Sequence, residues 1–266
     1  MPKAAASVEP WLAALHESSE RLDALTRDLS EAELERPSFA GDWTIAQVLS
    51  HLGSAADISA RLVKRGLAGG TETLGRAELE RIWGRWNALG PVQQRAEWTA
   101  ADVRHLALLD ALDAEQRASL RVPYFAGLLD LTAYAGYRLS EQSVHAWDIE
   151  AALVPRAMIP APEVALLWDR LDAVATRFRD GATLSRLAPA SILVNRIDDR
   201  HAAALLLTSE LHLYPCEPAE PAVATVTGTT EALVRLVYGR NRPGVDEVEV
   251  TGAVTLGDLR ALFPGY

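Results

Sequence analysis

Two histidines and one glutamate have the residue types and spacing of a metal-binding site. Glu141 and His145 lie four residues apart in a run with helical periodicity, so their side chains share one helix face. His51 lies in a second amphipathic run, ninety positions earlier. If the two helices pack, two imidazoles and one carboxylate converge and leave a position open, which is the ligand set of a catalytic divalent-metal site. By spacing alone, the Glu–His pair also fits an exposed ion pair.

The elements that must position these residues are long helices. Thr44 followed by Gln47 predicts a capping box at the start of the helix that carries His51. Apolar residues recur at helical spacing in five segments, joined by short links. These segments are residues 8–29, 44–67, 76–88, 91–112 and 125–153. Several long helices with short connections predict a helix bundle, in which metal sites form from inward-facing side chains.

The pattern changes after Leu153. Pro155, Pro160 and Pro162 indicate a linker, which predicts one domain over 1–155 and a second over 163–266. The second part combines helical runs with short β-rich runs, and 198–200 is a turn signal between two of them. The helices are expected at 163–179, 228–238 and 255–263, and the strands at 192–197, 202–213, 222–227 and 247–250. The predicted fold class is therefore α plus α+β: a helix bundle followed by a small α+β domain.

Composition excludes several classes of protein. The net charge of −10 and the pI of about 5.1 argue against a nucleic-acid partner. The single cysteine, Cys216, allows neither a disulfide framework nor a cysteine-rich zinc site. Residues 1–10 lack the apolar segment of a secretory signal, and no apolar run is long enough to span a membrane. These features predict a cytoplasmic protein without a membrane partner, and they leave its oligomeric state open.

The ordered set of motifs resembles the mycothiol-dependent maleylpyruvate isomerase family. The resemblance covers nearly the whole chain. It rests on Asp42-Trp43-Thr44, His51-Leu52-Gly53, Glu141-x-x-x-His145-Ala146-Trp147-Asp148-Ile149, Gly228-Thr229-Thr230-Glu231-Ala232-Leu233 and Leu236-Val237-Tyr238-Gly239-Arg240. It implies a DinB-like four-helix bundle followed by a domain related in shape to sterol-carrier folds.

The resemblance also implies the chemistry of the site. His51, Glu141 and His145 would be the metal ligands, the metal would be zinc, and mycothiol would supply a sulfur nucleophile. Arg240 would meet the carboxylate of an electrophilic small-molecule substrate. Its position beside Gly239 equally suits an arginine that interacts with a helix end. Asp148, one turn from His145, could accept a hydrogen bond from that ligand or form a surface ion pair.

Three functions remain open from the sequence. The first is a thiol-using, metal-dependent enzyme, either an isomerase or an S-transferase. The second is a metal-dependent hydrolase with metal-bound hydroxide. The third is a non-catalytic protein that binds a hydrophobic small molecule. Three convergent ligands favour an enzyme over a binding protein.

Overall fold

The computed structural model describes residues 7–199, 201–217, 221–242 and 244–265. The chain divides into two compact units after Met158, here called the N-terminal and C-terminal units. Residues 1–6 of the predicted non-signal segment and Arg200 of the predicted turn lie outside the described residues. In the described part, no helix combines the length and the apolar composition needed to cross a membrane.

The N-terminal unit is a helix bundle, as predicted. Its four long helices pack in pairs, α3 chiefly on α5 and α1 chiefly on α7. The elements are α1 (Glu9–Thr26), α2 (Glu31–Leu34), α3 (Ile45–Leu67), α4 (Arg76–Asn87), α5 (Pro91–Asp110), α6 (Ala114–Ser119), β1 (Val122–Tyr124), β2 (Gly127–Leu129) and α7 (Leu131–Leu153). Large apolar side chains such as Trp86, Trp98 and Trp147 are buried in its core.

The start of α3 follows the capping signal in the sequence. The Thr44 hydroxyl accepts from the Gln47 backbone N–H at 3.2 Å, and the Gln47 side chain accepts from the Thr44 N–H at 2.9 Å. These reciprocal bonds satisfy two N–H groups that a helix start otherwise leaves unpaired. The capping box is confirmed, and it places His51 in the second turn of α3.

The helix predicted from Phe125 onward begins later than expected. Residues 122–129 form a two-stranded antiparallel hairpin instead, and α7 begins at Leu131. Gly127 has a φ of +112°, a conformation that favours glycine and interrupts helical geometry. Asp130 then caps α7, since its carboxylate accepts from the Ala133 N–H at 2.8 Å. The prediction was wrong because apolar content in a short strand resembles that of a buried helix.

The C-terminal unit is an α+β domain, as predicted. One five-stranded sheet has the order β5-β4-β3-β6-β7, in which β3 and β6 are parallel and the other neighbours antiparallel. The elements are α8 (Ala161–Asp169), α9 (Leu171–Phe178), α10 (Gly181–Leu187), β3 (Ala190–Arg196), β4 (Ala202–Leu207), β5 (Leu211–Cys216), β6 (Ala224–Gly228), α11 (Thr230–Val237), β7 (Glu249–Gly252) and α12 (Leu256–Leu262). Residues such as Ile192, Leu205 and Val226 pack with Leu233 and Leu259 in its core.

Two elements of this unit differ from the sequence prediction. The helix expected over 163–179 is two helices that meet at Arg170. The strand run expected over 202–213 is two strands, because the Thr208 N–H donates to the Glu210 carbonyl at 2.8 Å and turns the chain back. The two runs on either side of residues 198–200 form β3 and β4, which pair antiparallel.

Gly53 permits the close approach of α4 to α3. A Cβ atom at Gly53 would overlap the indole of Trp86, which is fully buried. We expect Gly53→Ala to lower the free energy of unfolding by about 1–3 kcal/mol, because the indole must shift in a packed core. Gly84→Ala on α4 is the matched control. Apart from its chain neighbours and the backbone of its own helix, no atom of the described residues lies within 4 Å of its Cβ position, so this substitution should raise stability by about 0.5–1 kcal/mol. Urea unfolding followed by far-ultraviolet circular dichroism measures both, and equal effects would contradict this packing.

Candidate metal centre

The two histidines and the glutamate converge between α3 and α7. His51 Nε2 lies 3.0 Å from Glu141 Oε2, and His145 Nε2 lies 3.8 Å from the same oxygen. The three potential ligand atoms all lie within 4.8 Å of one another. Zinc ligands at bond lengths of 2.0–2.2 Å in a tetrahedron are about 3.4 Å apart. The donor set therefore fits a divalent cation with only small side-chain movements.

The three side chains differ in their access to solvent. The His145 side chain is 4% exposed, whereas those of His51 and Glu141 are 32% and 24% exposed. The cluster is thus closed on the His145 side and open on the side of the other two residues. A small molecule can reach the ligand atoms from that open side, as a catalytic metal site requires.

The charge state of Glu141 suits a metal ligand. Burial raises the pKa of its carboxyl, but the hydrogen bond with His51 and the electrostatic interactions with His145, His51 and Arg138 outweigh burial and lower the pKa to about 2. Glu141 is therefore a carboxylate at neutral pH. Arg138, one turn earlier on α7, is 1% exposed and was not identified from the sequence. The sequence could have indicated Arg138, because it lies three residues before Glu141 in a helix and therefore beside it.

Asp148 orients the His145 ring. The His145 Nδ1 atom lies 2.9 Å from Asp148 Oδ2, and Asp148 is fully buried. Burial lowers the pKa of the imidazole, and the contact with Asp148 partly opposes this. A carboxylate oxygen can only accept here, so the ring proton lies on Nδ1 and the lone pair on Nε2. That lone pair is on the side of Glu141, and a buried carboxylate on the other ring nitrogen is the usual support of a metal-bound histidine.

Aromatic side chains line the cluster. The Trp43 ring centroid is 5.2 Å from that of His51 and 6.3 Å from that of His145. Trp43 is 40% exposed, so it forms a wall at the surface and not part of the core. Its loop is fixed by the Ser38 N–H, which donates to the Trp43 carbonyl at 2.8 Å. Trp147 is buried against Phe39, with centroids 4.9 Å apart.

Arg240 lies in the C-terminal unit, just after α11, and is 5% exposed. Its Nη1 donates to the Tyr238 carbonyl at 3.0 Å. Its backbone is held on both sides: its N–H donates to the Arg235 carbonyl at 2.7 Å, and its carbonyl accepts from Arg235 Nη1 at 3.0 Å. Gly239 has a φ of +74° and ends the helix, as its type predicts.

The other four histidines join no three-ligand cluster within the described residues. His16 contacts Asp110 at 3.0 Å, and His105 contacts the Tyr134 hydroxyl at 2.6 Å. His201 contacts Asp199 at 2.7 Å, and His212 contacts Glu210 at 3.4 Å. The cluster of His51, Glu141 and His145 is thus distinct from ordinary paired histidines.

Comparison with known families agrees with this arrangement. Residues 15–150 match the model of the mycothiol maleylpyruvate isomerase N-terminal domain, the segment that contains all three candidate ligands. The chain belongs to this family. No curated protein matches the sequence of this family member.

Two solved structures share the fold of this family member. A crystal structure of the mycothiol-dependent maleylpyruvate isomerase matches with a TM-score of 0.68 at 18% identity, and covers 94% of this chain and 95% of its own. A histidine-to-alanine mutant of that enzyme matches equally, at 17% identity over the same shares of both chains. YfiT from Bacillus subtilis, described as a probable metal-dependent hydrolase with an unusual four-helix bundle topology, is 20% identical. It covers 57% of this chain and 93% of its own, with a TM-score of 0.42.

Proposed function

We propose that this family member is a metal-dependent enzyme that uses mycothiol to isomerise or S-conjugate an electrophilic small molecule. The observation that carries the proposal is the convergence of His51, Glu141 and His145 on one partly open point. A catalytic metal site needs three protein ligands and an open position for substrate, whereas a purely structural ion pair needs neither. Family membership supports the choice of thiol.

The donor set supports a zinc site. Two imidazole nitrogens and one carboxylate are usual zinc ligands, and the same set suits iron or nickel. When bound there, the cation would supply the Lewis acidity that favours the thiolate form of a coordinating thiol.

The residues of the chain prepare the site for a sulfur anion. Glu141 contributes one negative charge and the two neutral imidazoles contribute none, so a divalent centre keeps one net positive charge toward the open side. That charge favours a thiolate over a neutral thiol. Asp148 keeps the His145 Nε2 lone pair directed into the cluster, and Trp43 forms one apolar wall beside the approach.

We also propose that Arg240 binds a carboxylate of the substrate. The hydrogen bonds that hold its backbone on both sides support a preorganised guanidinium. The planar donor fork of arginine suits carboxylate recognition. The alternative role, an interaction of Arg240 with the end of α11, is supported by its bond to the Tyr238 carbonyl.

A metal-dependent hydrolase is the second candidate function. The same donor set and open approach would serve to activate a water molecule in place of a thiol. A non-catalytic binding protein is the third, and the convergent ligand cluster argues against it.

Metal binding depends on all three ligands and on Asp148. We expect His145→Ala to weaken zinc binding by more than about 100-fold, and Asp148→Asn by about 10- to 100-fold through loss of ring orientation. Chelator competition measures both, and circular dichroism checks that the helices persist. His201→Ala is the control, since this histidine side chain is 83% exposed and belongs to the C-terminal unit. Stoichiometric, tight zinc in His145→Ala would refute the ligand assignment.

Thiol dependence separates the candidate functions. In the cobalt-substituted protein, added mycothiol should produce a thiolate-to-cobalt charge-transfer band, and His145→Ala should not show it. Turnover of an α,β-unsaturated or activated carbonyl acid should require the thiol. Equal activity with and without thiol would favour the hydrolase. Ligand binding without turnover of any electrophile or ester would favour the binding protein.

Loss of the Arg240 guanidinium should impair catalysis without loss of metal. We expect Arg240→Met to lower kcat/KM by an amount equivalent to about 2–4 kcal/mol, since a charge-assisted contact is removed. Arg240→Lys should restore only part of it, because lysine lacks the planar fork. Arg260→Met, at an exposed position on α12, is the control. If Arg240→Met keeps full kcat/KM and only reduces stability, Arg240 serves the helix end.

A further inference from the structure

Trp43 is a large exposed aromatic residue beside the candidate metal ligands. Its ring centroid lies 5.2 Å from that of His51 and 6.3 Å from that of His145, yet 40% of the residue is exposed. Single exposed apolar residues are common, so exposure by itself assigns no role. Trp43 combines exposure with a position beside the ligand set and with a backbone that is held on both sides.

The loop that carries Trp43 is fixed by its own hydrogen bonds. The Trp43 carbonyl accepts from both the N–H and the hydroxyl of Ser38, each at 2.8 Å. The Trp43 N–H donates to the Ala40 carbonyl at 3.2 Å. The next residue, Thr44, forms an isolated β-bridge with Pro37 and caps α3. The backbone of Trp43 is therefore fixed before any ligand binds.

The same loop is attached to α7, the helix that carries two of the candidate ligands. The Phe39 N–H donates to the Asp148 carbonyl at 2.9 Å, and the Arg36 guanidinium donates to the Ala152 carbonyl at 2.8 Å. These bonds hold the loop against the helix segment that contains His145. A rigid aromatic side chain on such a loop binds a ligand with little loss of conformational entropy.

The indole lies on the solvent side of the candidate ligands. His145 is buried, His51 is half-buried and Trp43 is exposed. A small molecule whose coordinating atom reaches the imidazole nitrogens would therefore contact the indole with a part farther from that atom. An electrophile has to reach the coordinated atom itself, so its reacting carbon lies inward of the indole.

The chemistry of mycothiol matches this arrangement. Its thiol belongs to an N-acetylcysteine whose carboxyl group is amide-linked to a glucosaminyl-inositol. The sulfur and the first sugar ring are separated by about five bonds, or roughly 6 Å in an extended chain. That is the scale of the distances between Trp43 and the two imidazoles. Sugar rings also pack well on indoles, because the negative face of the aromatic ring attracts their weakly positive C–H groups.

We propose that Trp43 determines the specificity for the thiol, because its indole packs against a sugar ring of mycothiol while the cysteinyl sulfur reaches the ligand cluster. This inference rests on the proposed function and adds to it a residue that distinguishes mycothiol from simpler thiols. Selectivity then comes from a fixed apolar surface beside the cluster, and the affinity for the sulfur comes from the cluster itself.

Titration of the cobalt-substituted full chain with two thiols tests the proposal. One is mycothiol, and the other is N-acetylcysteine N-methylamide, which keeps the thiol and both amides but has no sugar. The thiolate-to-cobalt charge-transfer band reports both affinities. We expect the wild type to bind mycothiol about tenfold or more tightly than the amide, since the sugar buries apolar surface on the indole.

Substitutions at Trp43 should change this preference and leave the affinity for the sugar-free thiol unchanged. Trp43→Ala should bring the two affinities within about threefold of each other, and Trp43→Leu should do the same because it lacks an aromatic face. Trp43→Phe should keep most of the preference. Trp83→Ala, which removes a 42% exposed indole from α4, is the matched control and should change neither affinity.

The possible failures have different consequences. Equal binding of the two thiols by the wild type overturns the inference, and this result requires no variant to fold. A preference that persists in Trp43→Ala also overturns it, as does equal weakening of both thiols in that variant. If neither thiol produces the band in the wild type, the proposed thiol chemistry itself fails, and this inference fails with it.

Discussion

The contact between the His51 imidazole and the Glu141 carboxylate is the interaction on which the candidate centre depends. It joins α3 to α7 at 3.0 Å, and Glu141 lies one helical turn from His145. A partly buried carboxylate must find compensation for the water it has lost. Here two imidazoles provide it, so one residue determines where both rings meet. The bundle consequently presents one converging donor set in place of three separate polar groups.

The same face of α7 carries a row of buried and half-buried polar residues. Arg138, Glu141, His145 and Asp148 follow one another at three- and four-residue spacing, which places them on one side of the helix. Arg138 at one end favours the ionised form of Glu141, and Asp148 at the other end orients His145. Such residues contribute little to stability when buried, and their cost must be offset by apolar packing elsewhere in the bundle. The fully buried Trp86 and Trp147 are examples of that packing.

The C-terminal unit also contains buried charged residues, which form an ion-pair network. Arg235 on α11 bonds to Glu231 at 2.6 Å and to Asp246 at 2.7 Å, and all three side chains are less than 10% exposed. Asp246 also accepts from the Arg242 backbone N–H. The network fixes the segment after α11, which begins at Gly239 and carries Arg240. An arginine on a constrained backbone loses less conformational entropy on binding an anion than an arginine on a flexible loop.

Sequence alone determined those features that arise from neighbours along the chain. The capping box at Thr44, the end of α11 at Gly239 and the existence of most helices follow from local hydrogen bonding and periodicity. The sequence also identified His51, Glu141 and His145 as candidate ligands by residue type. The four-residue spacing placed Glu141 and His145 on one helix face. Tertiary structure alone decided whether His51 meets them, because that depends on how α3 packs against α7. It likewise decided the burial of Asp148, the parallel pairing of β3 with β6 and the hairpin before α7. Each of these is set by contacts between residues distant in the chain, and local propensity carries no information about such contacts.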